Sequence, residues 1–143
     1  MADVITTTER RILTVRVSGA PCPVNQRHQR RKRSASGAPP KRGDVFLSPK
    51  AREWQTIVAQ SAWFQLALLH NQRAHLPIGQ EIRVACTFVN VRGDADNYLK
   101  STLDGLAEGL QINDRYFNPV QAARRIVKGQ PRGAIIEIFE VCS

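Results

Sequence analysis

Apolar and polar positions alternate along this chain in ways that mark out two helices and four strands. Ile12, Leu13, Val15 and Val17 form a short β-forming run, which predicts a strand over residues 11–17. Gly19 ends it, and Ala20-Pro21-Cys22-Pro23 lacks the N–H groups that a ladder needs. From Ser48 to about Asn71, the positions of Trp54, Ile57, Val58, Ala62, Gln65, Leu66 and Leu69 approximate helical spacing. Ser48 suits the N-cap and Pro49 the first helical position. The Trp and Phe residues here are expected in the core, not as platforms for bases. Pro77 and Gly79 break the pattern. Over residues 81–91, Ile82, Val84, Cys86 and Phe88 alternate with Arg83, Ala85 and Thr87, the signature of a strand with one buried face. Val89 and Val91 extend the apolar cover at its end.

A second helix is predicted over residues 97–109. Leu99, Leu103, Leu106 and Leu110 fall on one stripe, and Asn97, Lys100, Ser101, Asp104 and Glu108 on the opposite, polar face. Gly109 is the expected terminator. Residues 119–128 and 132–141 read as two further strands, and the Gly129-Gln130-Pro131 link between them predicts a hairpin. Together these elements give an α+β protein, a single compact domain over residues 1–143, in which a small mixed β-sheet packs with two main helices. Residues 1–10 are polar and expected to fray.

Composition agrees with one folded core. The chain has 143 residues, 42% hydrophobic and 23% charged, so it needs no disulfide or metal staple. Lys and Arg number 21 against 12 Asp and Glu, a formal charge of +9, which favours a polyanionic partner. The excess is concentrated. Residues 24–44 carry Arg27, Arg30, Arg31, Lys32, Arg33, Lys41 and Arg42, with no acid before Asp44, among Ser34, Ser36, Gly37, Pro39 and Pro40. Such a stretch is expected to be a flexible basic loop, with Arg27, Arg30, Arg31, Lys32 and Arg33 gripping a phosphate backbone. Arg124, Arg125 and Lys128, on a late strand, extend this DNA-binding surface. A membrane partner is disfavoured: the longest apolar stretch, residues 62–69, is too short to span a bilayer, and the basic residues do not lie on an amphipathic helix. The start of the chain has no basic and apolar leader, which predicts a cytoplasmic protein. Cys22, Cys86 and Cys142 are odd in number and show no C-x-x-C spacing, which argues against a disulfide framework or a zinc ribbon. Cys86 lies in an apolar run and reads as plain core.

The candidate chemistry lies in Arg92-Gly93-Asp94-Ala95-Asp96-Asn97-Tyr98-Leu99-Lys100, followed by Leu103-Asp104-Gly105-Leu106 and Asn113-Asp114. In an extended segment residues two apart point the same way, so the Asp94 and Asp96 carboxylates can converge. Lys100 lies four residues beyond Asp96. Asp114 joins them only if the sheet carries it back. Three carboxylates in one place need a cation, because each like-charged pair at about 4 Å costs about 4 kcal/mol at an effective dielectric near 20. Oxygen ligands without Cys or His suit Mg2+, for which Mn2+ can substitute. Beside a basic surface, such a metal points to phosphodiester hydrolysis, with Lys100 stabilising charge on the phosphate. Structural alternatives exist for each residue. Asp96 can cap the helix, Asp94 can serve a turn, Lys100 and Asp104 can pair at i, i+4, and Asn113-Asp114 can form a turn. A basic nucleic-acid-binding module without catalysis therefore stands beside the nuclease reading, as does a nuclease acting on other branched DNA such as flaps or forks.

These residues resemble the RusA family of Holliday junction resolvases. The likeness rests on Asp94-Ala95-Asp96-Asn97, Lys100, Leu103-Asp104-Gly105-Leu106 and Asp114. It extends back to Pro23-Val24-Asn25 and spans roughly residues 11–141. It implies a homodimeric, Mg2+-dependent endonuclease, with no small-molecule cofactor, that resolves four-way branched DNA by paired symmetric nicks in recombination and repair. It places the metal ligands on Asp94, Asp96 and Asp114 and the active-site lysine on Lys100. Many members carry Asp-Asp where this chain has Asn113-Asp114, and the basic segment is longer than the family's usual one. A two-fold dimer suits a junction of approximate two-fold symmetry.

Overall fold

The computed structural model describes residues 8–30, 45–70 and 79–142. Strands β1 (Thr8–Ser18), β4 (Ile82–Val89), β5 (Phe117–Arg125) and β6 (Gly133–Cys142) form one mixed sheet in the order β1-β6-β4-β5. Two short strands, β2 (His28–Arg30) and β3 (Val45–Leu47), pair antiparallel beside it. Helices α1 (Pro49–His70) and α2 (Leu99–Leu110) pack together. No helix among the described residues is long and apolar enough to cross a membrane.

The last two strands are not a hairpin. β5 pairs parallel with β4, while β6 lies antiparallel between β4 and β1. Val89 of β4 is opposite both Arg125 and Gly133, so the linking segment crosses the end of β4. Burial explains the choice. β4 buries Ile82, Val84, Cys86, Phe88 and Val89, and so takes a central place with both edges paired. β5 is exposed along most of its length and stays at the edge. Asn90, with φ 59, locks the crossing: its amide donates to the carbonyls of Val127 (2.9 Å) and Gln130 (2.8 Å) and its Oδ1 accepts from the Val127 N–H (2.9 Å).

The first part of the expected flexible loop is ordered. Val24–Gln26 form a 3-10 turn and His28–Arg30 pair with Val45–Leu47; residues 31–44 lie outside the described residues. Ser48 ties this base to α1. Its hydroxyl donates to the Gln26 carbonyl (2.7 Å) and accepts from the Ala51 N–H (3.1 Å), which is the predicted N-cap.

Gly109 does not end α2. The helix runs to Leu110, and Gln111 takes the left-handed cap position at φ 56. Gly105 and Gly109 instead let α1 approach. A Cβ at Gly105 would lie 2.7 Å from the Gln55 carbonyl oxygen, and one at Gly109 2.4 Å from that of Ala59. Trp54 of α1 donates its indole N–H to Thr102 Oγ1 (2.9 Å), and Thr102 donates onward to the Tyr98 carbonyl (2.7 Å). Leu106 and Leu110 are buried and Leu99 and Leu103 pack against the same core, so the predicted stripe holds. Two expectations fail at this interface. Ser101 is buried rather than on the polar face, and Trp63 and Phe64 of α1 are 61% and 57% exposed rather than in the core. Cys86 is core, and burial pushes its thiol up to about 12.

Candidate active site

The β4–α2 loop is held from both sides. Tyr98 packs its ring against Phe88, with centroids 5.4 Å apart, and donates its hydroxyl to the Arg92 carbonyl. Arg124 of β5 donates to the Gly93 carbonyl at 2.8 Å. Gly93 itself sits at φ 78, a conformation that favours glycine. Asp94 follows, at the N-cap of a 3-10 turn over Ala95–Tyr98, with Asp96 in the first turn.

Neither carboxylate has a structural task. Asp94 has the extended backbone of a cap (φ −74, ψ 139), yet its side chain makes no capping bond. Tyr98, at the N-cap of α2, makes none either. Among the described residues, neither the Asp94 nor the Asp96 side chain has a hydrogen-bond or ion-pair partner, and both residues are exposed. Among the described residues the Asp96 carboxylate caps no helix, and Asp94 serves the turn through its backbone, whose carbonyl accepts from the Asn97 N–H at 3.1 Å, rather than through its carboxylate.

Lys100 is the second residue of α2. Its Nζ lies 3.1 Å from Asp104 Oδ1 and 3.9 Å from Asp114 Oδ2. Asp104 also accepts from Arg27, through its other oxygen. Asn113 supports Asp114: it caps the 3-10 turn Asp114–Tyr116 by accepting from the Arg115 N–H at 3.0 Å. Asn113 is thus engaged in holding the turn.

The sheet sets Asp114 apart from the other two aspartates along the parallel pair β4–β5. β4 and β5 are parallel, with Ile82 opposite Phe117 and Val89 opposite Arg125. Asp94 lies beyond the C-terminal end of β4, whereas Asp114 precedes the N-terminal end of β5. From the first turn of α2, the Lys100 ammonium reaches Asp114 Oδ2 at 3.9 Å. The carboxylates do not form a closed ligand set: among the described residues no group of three or more His, Cys, Asp and Glu is close enough to hold a metal ion. The donor chemistry nonetheless fits a hard divalent ion: oxygen donors, exposed, two of them unpartnered, and a third held only by a lysine 3.9 Å away.

The expected DNA contacts fall into three groups. Arg27 is not on a free arm. Its side chain is only 14% exposed and pairs with Asp104, 22% exposed, because the 3-10 turn at Val24–Gln26 packs against α2. Arg30 lies in β2, while Arg31, Lys32 and Arg33 lie outside the described residues. Arg124 and Arg125 end β5, and Lys128 lies past the strand in the turn that follows it. Arg125 and Lys128 are exposed, and Arg124 spends one guanidinium N–H on the Gly93 carbonyl. Asp104 was legible only as the i, i+4 partner of Lys100; its bond to Arg27 joins residues 77 apart.

Residues 19–138, most of the chain, match the sequence model of a family described as endodeoxyribonuclease RusA. No curated protein matches.

Proposed function

This chain belongs to the RusA family of endodeoxyribonucleases, the crossover-junction resolvases, and we propose that it resolves four-way DNA by paired symmetric nicks, as a cytoplasmic homodimer that uses Mg2+. The observation that supports the chemistry is the pair of exposed carboxylates, Asp94 and Asp96, left without partners at a loop held by Tyr98 and Arg124. Asp94, Asp96 and Asp114 are the ligands, and Mn2+ can replace Mg2+. A divalent ion held there supplies Lewis-acid activation of the phosphoryl oxygen and of the attacking water.

The remaining work falls to the protein. Lys100 neutralises charge that builds on the phosphate, a role open to it because its ammonium is 55% exposed. Asp104, fixed by Arg27, holds Lys100 on the side of α2 that faces Asp114. Arg124 holds the loop through Gly93, so Asp94 stays in place when the substrate binds. Arg125, Lys128 and the basic segment from Arg30 to Arg33 contact phosphates, which favours recognition of branch shape over base edges.

The dimer has an observation of its own. Trp63, Phe64 and Leu68 are 61%, 57% and 53% exposed on one helix, an apolar surface that a second copy would cover. Replacing Leu68 by Glu is expected to shift the sedimentation of the protein from dimer to monomer. The substrate is tested by comparing a mobile four-way junction, a flap and a linear duplex. With Mg2+ the junction is cut into two nicked duplexes and the duplex is left intact, and EDTA abolishes cutting. Equal cutting of all three, or cutting in EDTA, contradicts the proposal.

A further inference from the structure

Beside the loop that presents Asp94 is a cavity of about 220 Å³, bounded by Pro21, Lys50, Arg92, Tyr98 and Arg132 among others. We propose that this cavity is a subsite for a backbone phosphodiester of the bound DNA, next along the strand from the phosphate that is cut. The proposal rests on the nuclease reading above and assigns residues that the basic-segment pattern did not single out.

Three observations carry it. The cavity wall holds three cations and no carboxylate. Among the described residues, Arg92 and Arg132 have no ion-pair partner, and Lys50 Nζ gives one bond, at 2.7 Å, to the neutral Gln26 Oε1 and keeps two donors. Uncompensated cations around a concave site attract an anion, and a guanidinium pair suits phosphate oxygens.

The position is the second observation. Arg92 lies two residues before Asp94, and its carbonyl is held by the Tyr98 hydroxyl, so cavity and aspartates share one rigid loop. The third is convergence. Lys50 comes from the first turn of α1, Arg92 from the loop after β4 and Arg132 from the residue just before β6, where its carbonyl accepts from the Gly19 N–H at 2.9 Å. Three elements distant in sequence thus place positive charge around one hollow, and the N-terminal end of α1 adds the positive end of its dipole.

The test measures binding as well as cutting. Junction affinity is measured in EDTA over a range of salt for Lys50→Gln, Arg92→Gln and Arg132→Gln. Arg16→Gln serves as control; it removes the same charge from the exposed face of β1, opposite the buried Val15 and Val17. Arg92→Gln and Arg132→Gln are each expected to raise Kd about fivefold to tenfold and to lower the log–log salt slope by about one. Arg16→Gln should do neither, and kcat at saturating junction should stay within about twofold of wild type. As a direct probe, the dinucleotide pdTdT is expected to shift the amide resonances of Arg92 and Tyr98 in wild type but not in the Arg92→Gln/Arg132→Gln double variant. Salt slopes equal to that of Arg16→Gln, or no pdTdT shift in wild type, overturn the subsite. If wild type fails to cut junctions with Mg2+ while the pdTdT shifts persist, the nuclease reading falls and the phosphate subsite stands.

Discussion

Two faces of α2 carry opposite kinds of residue. The face against α1 holds Gly105, Leu106, Gly109 and Leu110, all buried, with glycines where the backbone of α1 comes too close for a Cβ. The other face, with the 3-10 turn ahead of it, holds Asp94, Asp96 and Lys100, all exposed, and the half-buried Asp104. One face is fully committed to packing. The other keeps charges whose only ion pairs among the described residues are Lys100–Asp104, Lys100–Asp114 and Arg27–Asp104. Carboxylates that stabilise nothing are available for a ligand, so chemistry and stability should separate cleanly under mutation.

The largest expected effect is on the charged face. Asp94→Asn and Asp96→Asn should each lower the rate of junction cutting by on the order of 10³-fold. Their unfolding free energy should stay within about 0.5 kcal/mol of wild type, as for surface positions without partners. Denaturant titration beside single-turnover cutting checks both halves. The converse comes from the packed face. Gly109→Ala gains about 1 kcal/mol of helix propensity but drives a Cβ to 2.4 Å from the Ala59 oxygen. Overpacking should win, with a net loss of about 1–3 kcal/mol in a urea melt and an unchanged cutting rate for the protein that remains folded.

Asp104 sits between the two regions and sharpens the comparison. Its pair with Arg27 is mostly shielded from solvent. Arg27→Met and Asp104→Asn should each cost about 2 kcal/mol, and the double variant less than the sum of the two. Additive losses in that cycle would show that the pair does not anchor the turn to α2. Asp104→Asn should also slow cutting, since Lys100 loses its nearer partner, whereas Arg27→Met should slow it less. The smallest effect expected is at Trp54→Phe, where the bond to Thr102 is lost for about 1 kcal/mol with no change in cutting.

Local patterns were legible in the sequence, and partners distant in sequence were not. Period-two alternation found β4, the Ser48-Pro49 start found the first turn of α1, and the leucine stripe found α2, because each signal is contained in a few residues. The hairpin expectation failed because pairing depends on which strand has the more apolar core face, a competition among β4, β5 and β6 that the turn residues alone do not report. Gly109 was misread for a related reason. A glycine near a helix end looks like a cap, and only the approach of Ala59, 50 residues earlier, shows that it is a contact; a second glycine four residues before it was the available hint. Trp63 and Phe64 are large and aromatic, which suggests burial, yet a helix of 22 residues that packs on one side leaves the other exposed. Within the site, the Asp94-x-Asp96 spacing and Lys100 were legible. That Arg27 pairs with Asp104 of α2 was not, since the two are 77 residues apart.

The central proposal is that a divalent ion draws together Asp94 and Asp96, whose side chains have no partner among the described residues, and Asp114, which is paired with Lys100. The most direct measurement is a crystal structure of the protein with Mn2+, located by anomalous scattering. The expected result is an ion within about 2.0–2.4 Å of oxygens from Asp94 and Asp96, with Asp114 moved onto it and Lys100 retained by Asp104. An ion bound elsewhere on the chain, or no ion at saturating Mn2+ while junctions are still cut, would contradict it.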